Sequence, residues 1–353
     1  MATMTALRLK AWQQEPILEE VPVPEPGPLD VVIRVGGAGA CHSDLHLMHE
    51  FQDGAVPWGP PFTLGHENAG WVSAVGAQVE DFAEGDAVAV MGSWGCGRCR
   101  NCRLGVDTYC ENVAEAPVPG GGGGLGLDGG MAEHMLVRDA ARHLVRLPGG
   151  LTPEIAAPLT DAGLTPYHAV RRSLPKLADP RSTAVVLGVG GLGQMGVQIL
   201  KALTAARVVA LDTRAEALEA AQKSGADHVI PSDAGAAERV RELTGGVGAD
   251  LVLDFVGAQP TVELAARIVR QLGDLTIVGI GGGVLPVGFF SLPYEASVQT
   301  TYWGSRSELG EVLELCTRGL LTPTVSTYSL ADSMQAYRDL AEGRVVGRAV
   351  VVP

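Results

Sequence analysis

The spacing of the apolar residues changes along this chain and divides it into two regions. In the first region, short runs of alternating apolar and polar residues are separated by prolines and glycines, as in VVIRV at 31–35. A period of two is typical of β-strands. Similar runs lie at 70–75, 86–90 and 132–137. The first region is therefore predicted to be rich in β-structure, with long loops.

The second region alternates short apolar runs with segments whose apolar residues recur at helical spacing. We predict strands at 183–187, 208–211, 228–230, 251–256 and 275–278, and helices at 192–203, 215–223, 236–243 and 262–271. This alternation predicts a parallel, doubly wound sheet and an α/β fold. A helix pattern at 308–317 and a β run at 348–352 follow, and these could rejoin the first region.

A glycine turn separates the first predicted strand and helix of the second region. Gly188, Gly190 and Gly193 form G-x-G-x-x-G, and the next apolar run ends at Asp212. Glycines at these positions permit a tight turn and let a pyrophosphate approach the helix N-terminus. The order of strand, glycine turn, helix, strand and acid predicts a dinucleotide site.

Length and charge limit the classes of protein that fit. A chain of 353 residues with 46% apolar and 19% charged residues suggests two globular domains. The 40 acidic and 26 basic residues give a net charge of −14, which disfavours nucleic acid and anionic membranes as partners. The first residues lack the apolar core of a signal peptide, and no stretch has the length of a membrane span, so we expect a cytoplasmic protein.

Four of the six cysteines lie close together in the first region. They have the spacing C-x2-C-x2-C-x7-C and are Cys96, Cys99, Cys102 and Cys110. In a cytosolic chain this spacing favours one tetrahedral zinc over disulfides or free thiols. Four thiolates leave the metal no open position, so the zinc is predicted to be structural. Interleaved arginines are expected to offset the negative charge of the site: Arg98, Arg100 and Arg103.

A second cluster of potential metal ligands lies upstream. Cys41 and His42 begin the sequence CHSDLH, and Gly65 is followed by His66 and Glu67. A cysteine and a histidine form a zinc site only when another group completes the set. From the residues alone, the cluster is ambiguous between a metal site and packed or solvated side chains.

These motifs together resemble the zinc-dependent medium-chain alcohol dehydrogenases. The motifs occur in the same order as in this family: CHSD, GHENAG, the cysteine lobe, GVGGLG and Asp212. The resemblance spans nearly the whole chain. It looks closest to bacterial, actinomycete-type NAD-dependent secondary alcohol dehydrogenases, which have counterparts of TDAGLTPYHA at 160–169 and YWGSRSEL at 302–309. The resemblance implies a homotetramer, or a dimer.

The same resemblance implies a domain organisation. The expected parts are a GroES-like catalytic domain at 1–157 with a structural-zinc lobe at about 94–112, a Rossmann NAD-binding domain at 158–298, and a segment at 299–353 that rejoins the catalytic domain.

Carried over residue by residue, the resemblance implies a catalytic zinc held by Cys41, His66 and Asp161. Many relatives have a second cysteine where this chain has Asp161, and the exchange keeps the ligand charge. Glu67 resembles a carboxylate that takes a fourth position when the site is empty. Asp44 resembles the acid that orients the ligand histidine through its other ring nitrogen, although an ordinary turn carboxylate is the alternative.

The family mechanism implies roles for three further side chains. Zinc polarises the alcohol or ketone oxygen, and hydride moves between the carbinol carbon and nicotinamide. Ser43 resembles the hydroxyl beside the reacting oxygen, and His46 the histidine that ends the proton relay, while His42 is expected to face the cofactor. Either histidine could serve in the relay, and a solvated histidine is the alternative.

Asp212 is expected to select NAD, because a carboxylate there accepts bonds from the adenosine ribose and repels a 2′-phosphate. Arg214 favours the alternative, NADP, since an arginine could bind that phosphate. The other residues expected at the cofactor are Gly188, Gly190, Gly191, Leu192, Gly193, Val256 and Ile280.

Several aromatic residues are candidates for the substrate pocket. Trp58, Tyr302 and Trp303 are expected to line it and to suit an apolar or aryl secondary alcohol, although core packing is an alternative. Phe51, Phe289 and Phe290 belong to the same group of candidate aromatics. The glycine-rich run at 120–130 is predicted to be a mobile loop, either bordering the pocket or on the plain surface.

Other functions remain compatible with the fold. A zinc-independent quinone or enoyl reductase would have no use for the cysteine and histidine clusters, and a non-catalytic binding protein would need neither these nor the glycine turn. Within the zinc family, enzymes acting on polyols, aryl or primary alcohols, or formaldehyde are the alternatives.

Overall fold

A computed structural model describes residues 2–118 and 120–353 of the chain. The chain forms two compact units. The first unit contains the residues up to Leu164 together with Trp303–Arg318 and Pro323–Pro353, and the second contains Thr165–Tyr302 with Gly319–Thr322. Among the described residues, none of the helices has both the length and the apolar character needed to cross a membrane.

The N-terminal part of the first unit consists mainly of β-structure. Its strands are β1 (Thr3–Leu9), β2 (Ile17–Pro22), β3 (Val31–Ala40), β4 (Phe62–Thr63), β5 (Glu67–Val75), β6 (Ala87–Val90), β7 (Gly122–Gly123), β8 (Gly126–Leu127), β9 (His134–Val137) and β10 (Leu144–Arg146). Its helices are α1 (His42–His49), α2 (Arg100–Arg103), α3 (Ala140–His143) and α4 (Pro153–Ala156), with 3-10 turns at Asp107–Tyr109, Val113–Glu115 and Ala157–Thr160.

The second unit begins within α5 (Leu164–Arg172) and alternates strands with helices. Its elements are a 3-10 turn at Leu174–Leu177, β11 (Thr183–Leu187), α6 (Gly191–Leu203), β12 (Arg207–Asp212), α7 (Ala215–Lys223), β13 (His228–Pro231), α8 (Ala236–Leu243), β14 (Ala249–Asp254), α9 (Gln259–Ile268), β15 (Val269–Ile277) and β16 (Ser297–Thr300). The chain then returns to the first unit with α10 (Arg306–Thr317), β17 (Val325–Ser329), a 3-10 turn at Leu330–Asp332, α11 (Ser333–Ala341) and β18 (Arg348–Val352).

The main sheet of the first unit is built around β3, nearly all of whose residues are buried. Its strand order is β10-β6-β5-β3-β18-β17, with β9 also paired to β3. The last strand, β18, runs antiparallel to β3, so that Ala349 is opposite Ala40. This register brings the C-terminal strand beside the end of β3, where Cys41 immediately precedes α1.

The sheet of the second unit has the order β13-β12-β11-β14-β15-β16, and each neighbouring pair is parallel. The predicted α/β fold with a doubly wound parallel sheet is confirmed. In such a sheet the order reverses beside the first strand, here β11, and ligands bind at the carboxyl ends of the strands at that point. The apolar runs of β11, β12 and β14 form the buried centre of this unit because helices cover both faces.

The predicted helix at 262–271 differs most from the structure. Helix α9 begins earlier, at Gln259, with a proline in its first turn, and ends at Ile268. The next residues already belong to β15, which is irregular: Ala249 is paired with Val269, but Leu251 is paired with Asp274. The extra residues of this bulge interrupt the alternation of apolar and polar residues in β15, so the start of the strand is hard to recognise from the sequence.

Candidate active site

Four side chains converge where β3 ends and β5 begins. Cys41 precedes α1, His66 precedes β5, Glu67 is its first residue, and Asp161 follows the 3-10 turn at Ala157–Thr160. One potential ligand atom from each lies within 4.8 Å of all the others. Oδ2 of Asp161 is 4.0 Å from Sγ of Cys41 and 3.7 Å from Nε2 of His66. The sequence motifs thus lie together in space.

The donor atoms suit a zinc ion. Bonds of about 2.0–2.3 Å in a tetrahedral zinc site place neighbouring donors about 3.3–3.8 Å apart, close to the separations found here. Glu67 is fully buried, and among the described residues its Oε2 atom has no hydrogen-bond partner. A buried carboxylate oxygen without a partner fits a position that a cation satisfies. One thiol, one imidazole and two carboxyl groups form a donor set that binds zinc well.

Asp44 joins several parts of this cluster. Its Oδ2 atom accepts hydrogen bonds from the backbone N–H of Cys41 at 3.1 Å and from the hydroxyl of Tyr337 at 2.9 Å. Its Oδ1 atom lies 3.1 Å from Nδ1 of His66, an ion-pair distance without the alignment of a straight hydrogen bond. Asp44 therefore faces the ring nitrogen of His66 that points away from Asp161.

Burial and neighbouring charges shift the pKa values of His66 and Glu67 in this cluster. Burial alone would lower the pKa of His66, but the carboxylates of Asp44 and Asp161 raise this pKa well above its usual value of 6.5. Burial raises the pKa of Glu67, and the guanidinium of Arg348 opposes that rise. Arg348 donates a hydrogen bond to Oε1 of Glu67 and is itself 5% exposed. The sequence gives no local signal for Arg348 or Tyr337, since both are distant in the chain.

Three polar residues of α1 were predicted to act in the reaction: Ser43 beside the reacting oxygen, His46 at the end of the proton relay and His42 facing the cofactor. Oγ of Ser43 is 3.3 Å from Nε2 of His66, the nitrogen that faces Asp161. His46 lies one helical turn later on the same face, and its Nδ1 is 2.7 Å from the exposed carboxylate of Glu50. His42 is exposed. Their roles stay predictions.

The glycine-rich run at 120–130 was predicted to be a mobile loop, and this is wrong for its central part. Residues 121–125 are buried. The N–H of Gly130 donates to the carbonyl of Gly65 at 3.0 Å, directly before His66. A Cβ atom on Gly124 would lie 2.3 Å from the same carbonyl oxygen, so side chains are excluded there. The glycines serve close packing behind the His66 segment rather than flexibility.

The predicted pocket aromatics have different environments. Trp303 is 4% exposed and packs edge-on against His66, with 5.9 Å between ring centroids. Trp58 belongs to an aromatic cluster with Trp12 and Phe62, at centroid distances of 6.0 and 5.7 Å. Tyr302 is 43% exposed and belongs to the second unit. A role in substrate binding stays a prediction for each of them.

The remaining candidate aromatic residues lie in different units and differ in exposure. Phe51 packs against Trp12 at a centroid distance of 5.8 Å, in the same aromatic cluster of the first unit. Phe289 and Phe290, in contrast, are largely exposed on the second unit.

The cysteine lobe has the geometry expected of a metal site. Sγ of Cys96 is 4.0 Å from Sγ of Cys102, and Sγ of Cys99 is 4.0 Å from that of Cys110. Tetrahedral zinc thiolates lie about 3.8 Å apart. The thiol of Cys99 accepts the backbone N–H groups of Cys102 at 3.4 Å and Glu111 at 3.5 Å, and the former bond contributes most to lowering its pKa to about 6. A low pKa favours the thiolate that binds metal.

Two arginine side chains make polar contacts within the described part of the lobe, and the charge-offsetting role expected of Arg98, Arg100 and Arg103 stays a prediction. Arg98 pairs with Glu115 at its exposed edge. Arg142, which the sequence did not indicate, donates to Oδ1 of Asp107 at 2.6 Å and to the carbonyl of Cys102 at 2.7 Å. It therefore fixes the backbone that carries the third cysteine.

The glycine turn of the second unit follows β11, at the point where the strand order reverses. The N–H of Gly188, which has a φ of +82°, donates to the carbonyl of Leu211 at 2.8 Å. A Cβ atom on Gly193 would lie 2.0 Å from the carbonyl oxygen of Gly188, so only glycine fits this first turn of α6. The turn leaves the N-terminus of α6, formed by Gly191 and Leu192, available to an anion.

Asp212 closes this turn. Its Oδ2 accepts the N–H of Val189 at 2.8 Å, and its Oδ1 accepts the N–H of Arg214 at 3.0 Å. The side chain of Arg214 also lies 3.4 Å from Oδ1 and is half exposed. Arg214 is thus paired with Asp212 rather than held away from it.

Two more predicted cofactor residues follow later strands. A Cβ on Gly188 would lie 2.4 Å from the side chain of Val256, so Val256 covers the turn. Asp254, which the sequence did not single out, accepts the N–H groups of Val256 and Gly257, each at 2.9 Å, and holds this segment. Ile280 is 60% exposed.

Comparison with known families agrees with this architecture. The sequence profile of the alcohol dehydrogenase GroES-like domain matches residues 27–149, and that of the zinc-binding dehydrogenases matches residues 191–318. The chain belongs to the zinc-type medium-chain alcohol dehydrogenase family.

Relatives that match the whole chain differ in their substrates. An NAD-dependent alcohol dehydrogenase of Sulfurisphaera tokodaii is 34% identical, over 99% of this chain and 100% of the relative. A D-arabinose 1-dehydrogenase (NADP(+)) of Saccharolobus solfataricus is 35% identical, over 100% and 99%. The structure of acetophenone reductase from Geotrichum candidum in complex with NAD matches with a TM-score of 0.84 and 30% identity, over 99% and 97%. The expected closeness to actinomycete enzymes stays a prediction.

Proposed function

We propose that this protein is a zinc- and NAD-dependent dehydrogenase that interconverts secondary alcohols, apolar or aryl, and ketones. The observation that carries the proposal is the convergence of Cys41, His66, Glu67 and Asp161 in a family of zinc-type alcohol dehydrogenases. We assign Cys41, His66 and Asp161 as ligands of a catalytic zinc, with Glu67 as an alternative fourth ligand. We also assign a structural zinc to Cys96, Cys99, Cys102 and Cys110.

When bound, zinc would polarise the alcohol or ketone oxygen, and NAD would accept or return the hydride. The chain itself handles the proton. Ser43, 3.3 Å from Nε2 of His66, takes the hydroxyl proton of an alcohol, and His46 passes it outward along the same face of α1. His46 is paired with exposed Glu50, which supports its position at the outer end of the relay. His42 is proposed to face the cofactor.

NAD is proposed as the cofactor because Asp212 lies at the end of β12, beside the glycine turn. A carboxylate here repels a 2′-phosphate. The pairing of Arg214 with Asp212 further reduces the ability of this arginine to attract such a phosphate. The other proposed contacts are Gly188, Gly190, Gly191, Leu192, Gly193, Val256 and Ile280.

The class of substrate is supported by two observations. A structural neighbour is named acetophenone reductase, an enzyme for an aryl ketone. In the first unit, Trp303 packs against His66, which supports an apolar wall beside the proposed zinc. Trp58 and Tyr302 are the other aromatic residues proposed to contact the substrate. The D-arabinose 1-dehydrogenase relative favours a second candidate function, the oxidation of sugars or polyols.

We further propose a homo-oligomer and a cytoplasmic location. Phe289 and Phe290 are 78% and 86% exposed and contact each other, with Tyr294 adjacent. Large exposed apolar patches are typical of interfaces, and a second copy of this chain is the proposed partner.

A steady-state screen tests the proposed function. Secondary, primary, aryl and polyol substrates, with both enantiomers of each chiral alcohol, are assayed with NAD and NADP before and after chelation. The proposal expects the highest kcat/KM for a secondary alcohol with NAD, and loss of turnover on chelation with recovery on adding Zn²⁺. Highest kcat/KM for D-arabinose or a polyol would support the second candidate. Turnover that survives removal of all chelatable metal would contradict both.

A further inference from the structure

A single carboxylate connects the C-terminal helix to the proposed zinc ligands. Tyr337, on α11, is 1% exposed, and its hydroxyl donates to Oδ2 of Asp44 at 2.9 Å. Asp44, on α1, is completely buried. The two residues are 293 positions apart, so only the folded first unit brings them together.

The same oxygen also accepts the backbone N–H of Cys41 at 3.1 Å. Oδ2 of Asp44 therefore has two donors, one from the segment that carries a proposed ligand and one from Tyr337. The other oxygen, Oδ1, is left facing Nδ1 of His66 at 3.1 Å. Fixing Oδ2 determines the rotation of the carboxylate, and this rotation determines how Oδ1 meets the imidazole.

We propose that Tyr337 is a positioning residue of the catalytic zinc site: its hydroxyl orients Asp44, and through Asp44 the ring of His66, so that zinc is retained. This inference rests on the proposed catalytic zinc. Tyr337 touches neither metal nor substrate and acts through another residue. Removing a group that bonds a metal ligand directly, as Asp44 is placed to do with His66, typically lowers metal affinity by about 10–100-fold. Tyr337 lies one contact farther from the ligands, so the effect expected of it is at the lower end of that range.

Burial makes the bond to Tyr337 hard to replace. Without the hydroxyl, Oδ2 of Asp44 keeps one donor, and the space vacated beside it is closed to solvent because both side chains are buried. Leaving a buried acceptor unsatisfied costs free energy, and a rotated carboxylate that regains a donor lowers that cost. Rotation towards Cys41 would move Oδ1 away from His66.

The chain offers a matched control in the same C-terminal segment. Tyr328, on β17, donates from its hydroxyl to Oδ2 of Asp339 at 3.0 Å. Tyr337→Phe and Tyr328→Phe each remove one Tyr–Asp hydrogen bond, but only the first bond reaches the proposed ligands.

The experiment follows zinc release from the purified holoenzyme into a colorimetric chelator. The proposal expects Tyr337→Phe to accelerate the release of one zinc about tenfold, with the other zinc unaffected. Tyr328→Phe should match the wild type. Co²⁺ placed in the same site should give a changed d–d absorption spectrum in Tyr337→Phe only. Equal release rates and unchanged spectra in all three proteins would overturn the proposal.

A double-mutant comparison separates positioning from general packing. If Tyr337 acts through Asp44, Tyr337→Phe should not accelerate release further in an Asp44→Asn background, whereas additive effects would overturn the proposal. Tyr337→His, which keeps a donor, should recover part of the slow release and provides a second variant if Tyr337→Phe folds poorly. A wild-type holoenzyme whose zinc lies only in the cysteine lobe would contradict both the proposed function and this inference. Two zincs that leave Tyr337→Phe at wild-type rates would contradict the inference alone.

Discussion

Arg348 of the last strand donates a hydrogen bond to the buried carboxylate of Glu67, which begins β5. The two side chains are 6% and 0% exposed, and they are 281 positions apart in the chain. The pair thus joins the C-terminal strand to the segment that carries His66. A buried ion pair contributes little net stability by itself, but loss of one partner leaves a buried charge without compensation.

Arg348→Gln is therefore expected to lower the free energy of unfolding of the first unit by about 3–5 kcal/mol. Denaturant unfolding followed by tryptophan fluorescence measures the change. Arg344→Gln is the control, because Arg344 is half exposed and pairs with Asp339 at the surface, where a loss of about 0–1 kcal/mol is expected. Similar losses in the two variants would contradict the special role of the buried pair.

Local motifs allowed much of this site to be predicted from sequence. The four lobe cysteines lie within one short segment, so their spacing already restricts their geometry, and the same is true of the glycines at 188–193. Tyr337 and Arg348 could not be predicted from local patterns, since their partners are Asp44 and Glu67 at the far end of the chain.

The prediction of a mobile loop at residues 120–130 also failed because of contacts that are distant in the chain. Glycine-rich composition indicates flexibility in an isolated segment. Here the backbone at Gly124 and Gly130 packs directly against Gly65, and this tertiary contact needs residues without side chains. Composition alone cannot distinguish a flexible glycine from a tightly packed one.

The two proposed zinc sites determine the metal content expected of this protein. Fully loaded protein should contain two zincs per chain, and Cys99→Ala should retain one, because a tetrahedral site that loses a thiolate binds zinc much more weakly. Elemental analysis after gel filtration measures the ratio. Cys316→Ala is the control, since Cys316 lies outside the two ligand clusters of the described residues and should keep both zincs. Two zincs in Cys99→Ala would remove the lobe from the proposed sites.

Asp161 is the proposed ligand that departs from the more common cysteine. Removing a group that only supports a metal ligand lowers metal affinity or activity by about 10–100-fold. Removing a ligand itself should cost more, so Asp161→Ala should lower kcat/KM more than about a hundredfold. NAD binding, measured by calorimetry, should be retained because Asp161 is not among the proposed cofactor contacts, most of which lie in the second unit. Asp161→Cys, which restores a thiolate of the same charge, should keep substantial activity. Wild-type activity in Asp161→Ala would exclude it as a ligand.

Asp212 should control the choice between the two nicotinamide cofactors. Two negative charges about 4 Å apart repel each other by about 1–4 kcal/mol, depending on solvent exposure. Asp212→Asn is thus expected to raise the ratio of kcat/KM with NADP to kcat/KM with NAD about tenfold or more. Asparagine keeps an oxygen that can accept the N–H of Val189 and so preserves the turn. Exposed Asp179→Asn serves as the control, and an unchanged ratio in Asp212→Asn would refute the assigned role.

The buried side chain of His143 is expected to make the free energy of unfolding depend on pH. This histidine is 1% exposed, stacks on Trp94 at 5.3 Å, and has its Nδ1 atom 2.6 Å from the carbonyl oxygen of Arg138. Its Nε2 atom has no partner among the described residues, so protonation would create a buried N–H donor without an acceptor. Burial lowers the pKa of His143 below its usual value of 6.5.

Because the folded pKa lies below the unfolded one, the unfolded chain binds a proton first as pH falls below about 6.5. His143 therefore costs stability in the window from pH 6.5 down to its folded pKa, by up to about 1.4 kcal/mol per pH unit. His143→Phe keeps a ring for Trp94 but cannot titrate, so its unfolding free energy should fall less steeply with pH over this window. Parallel curves for His143→Phe and wild type would show that His143 does not carry this pH dependence.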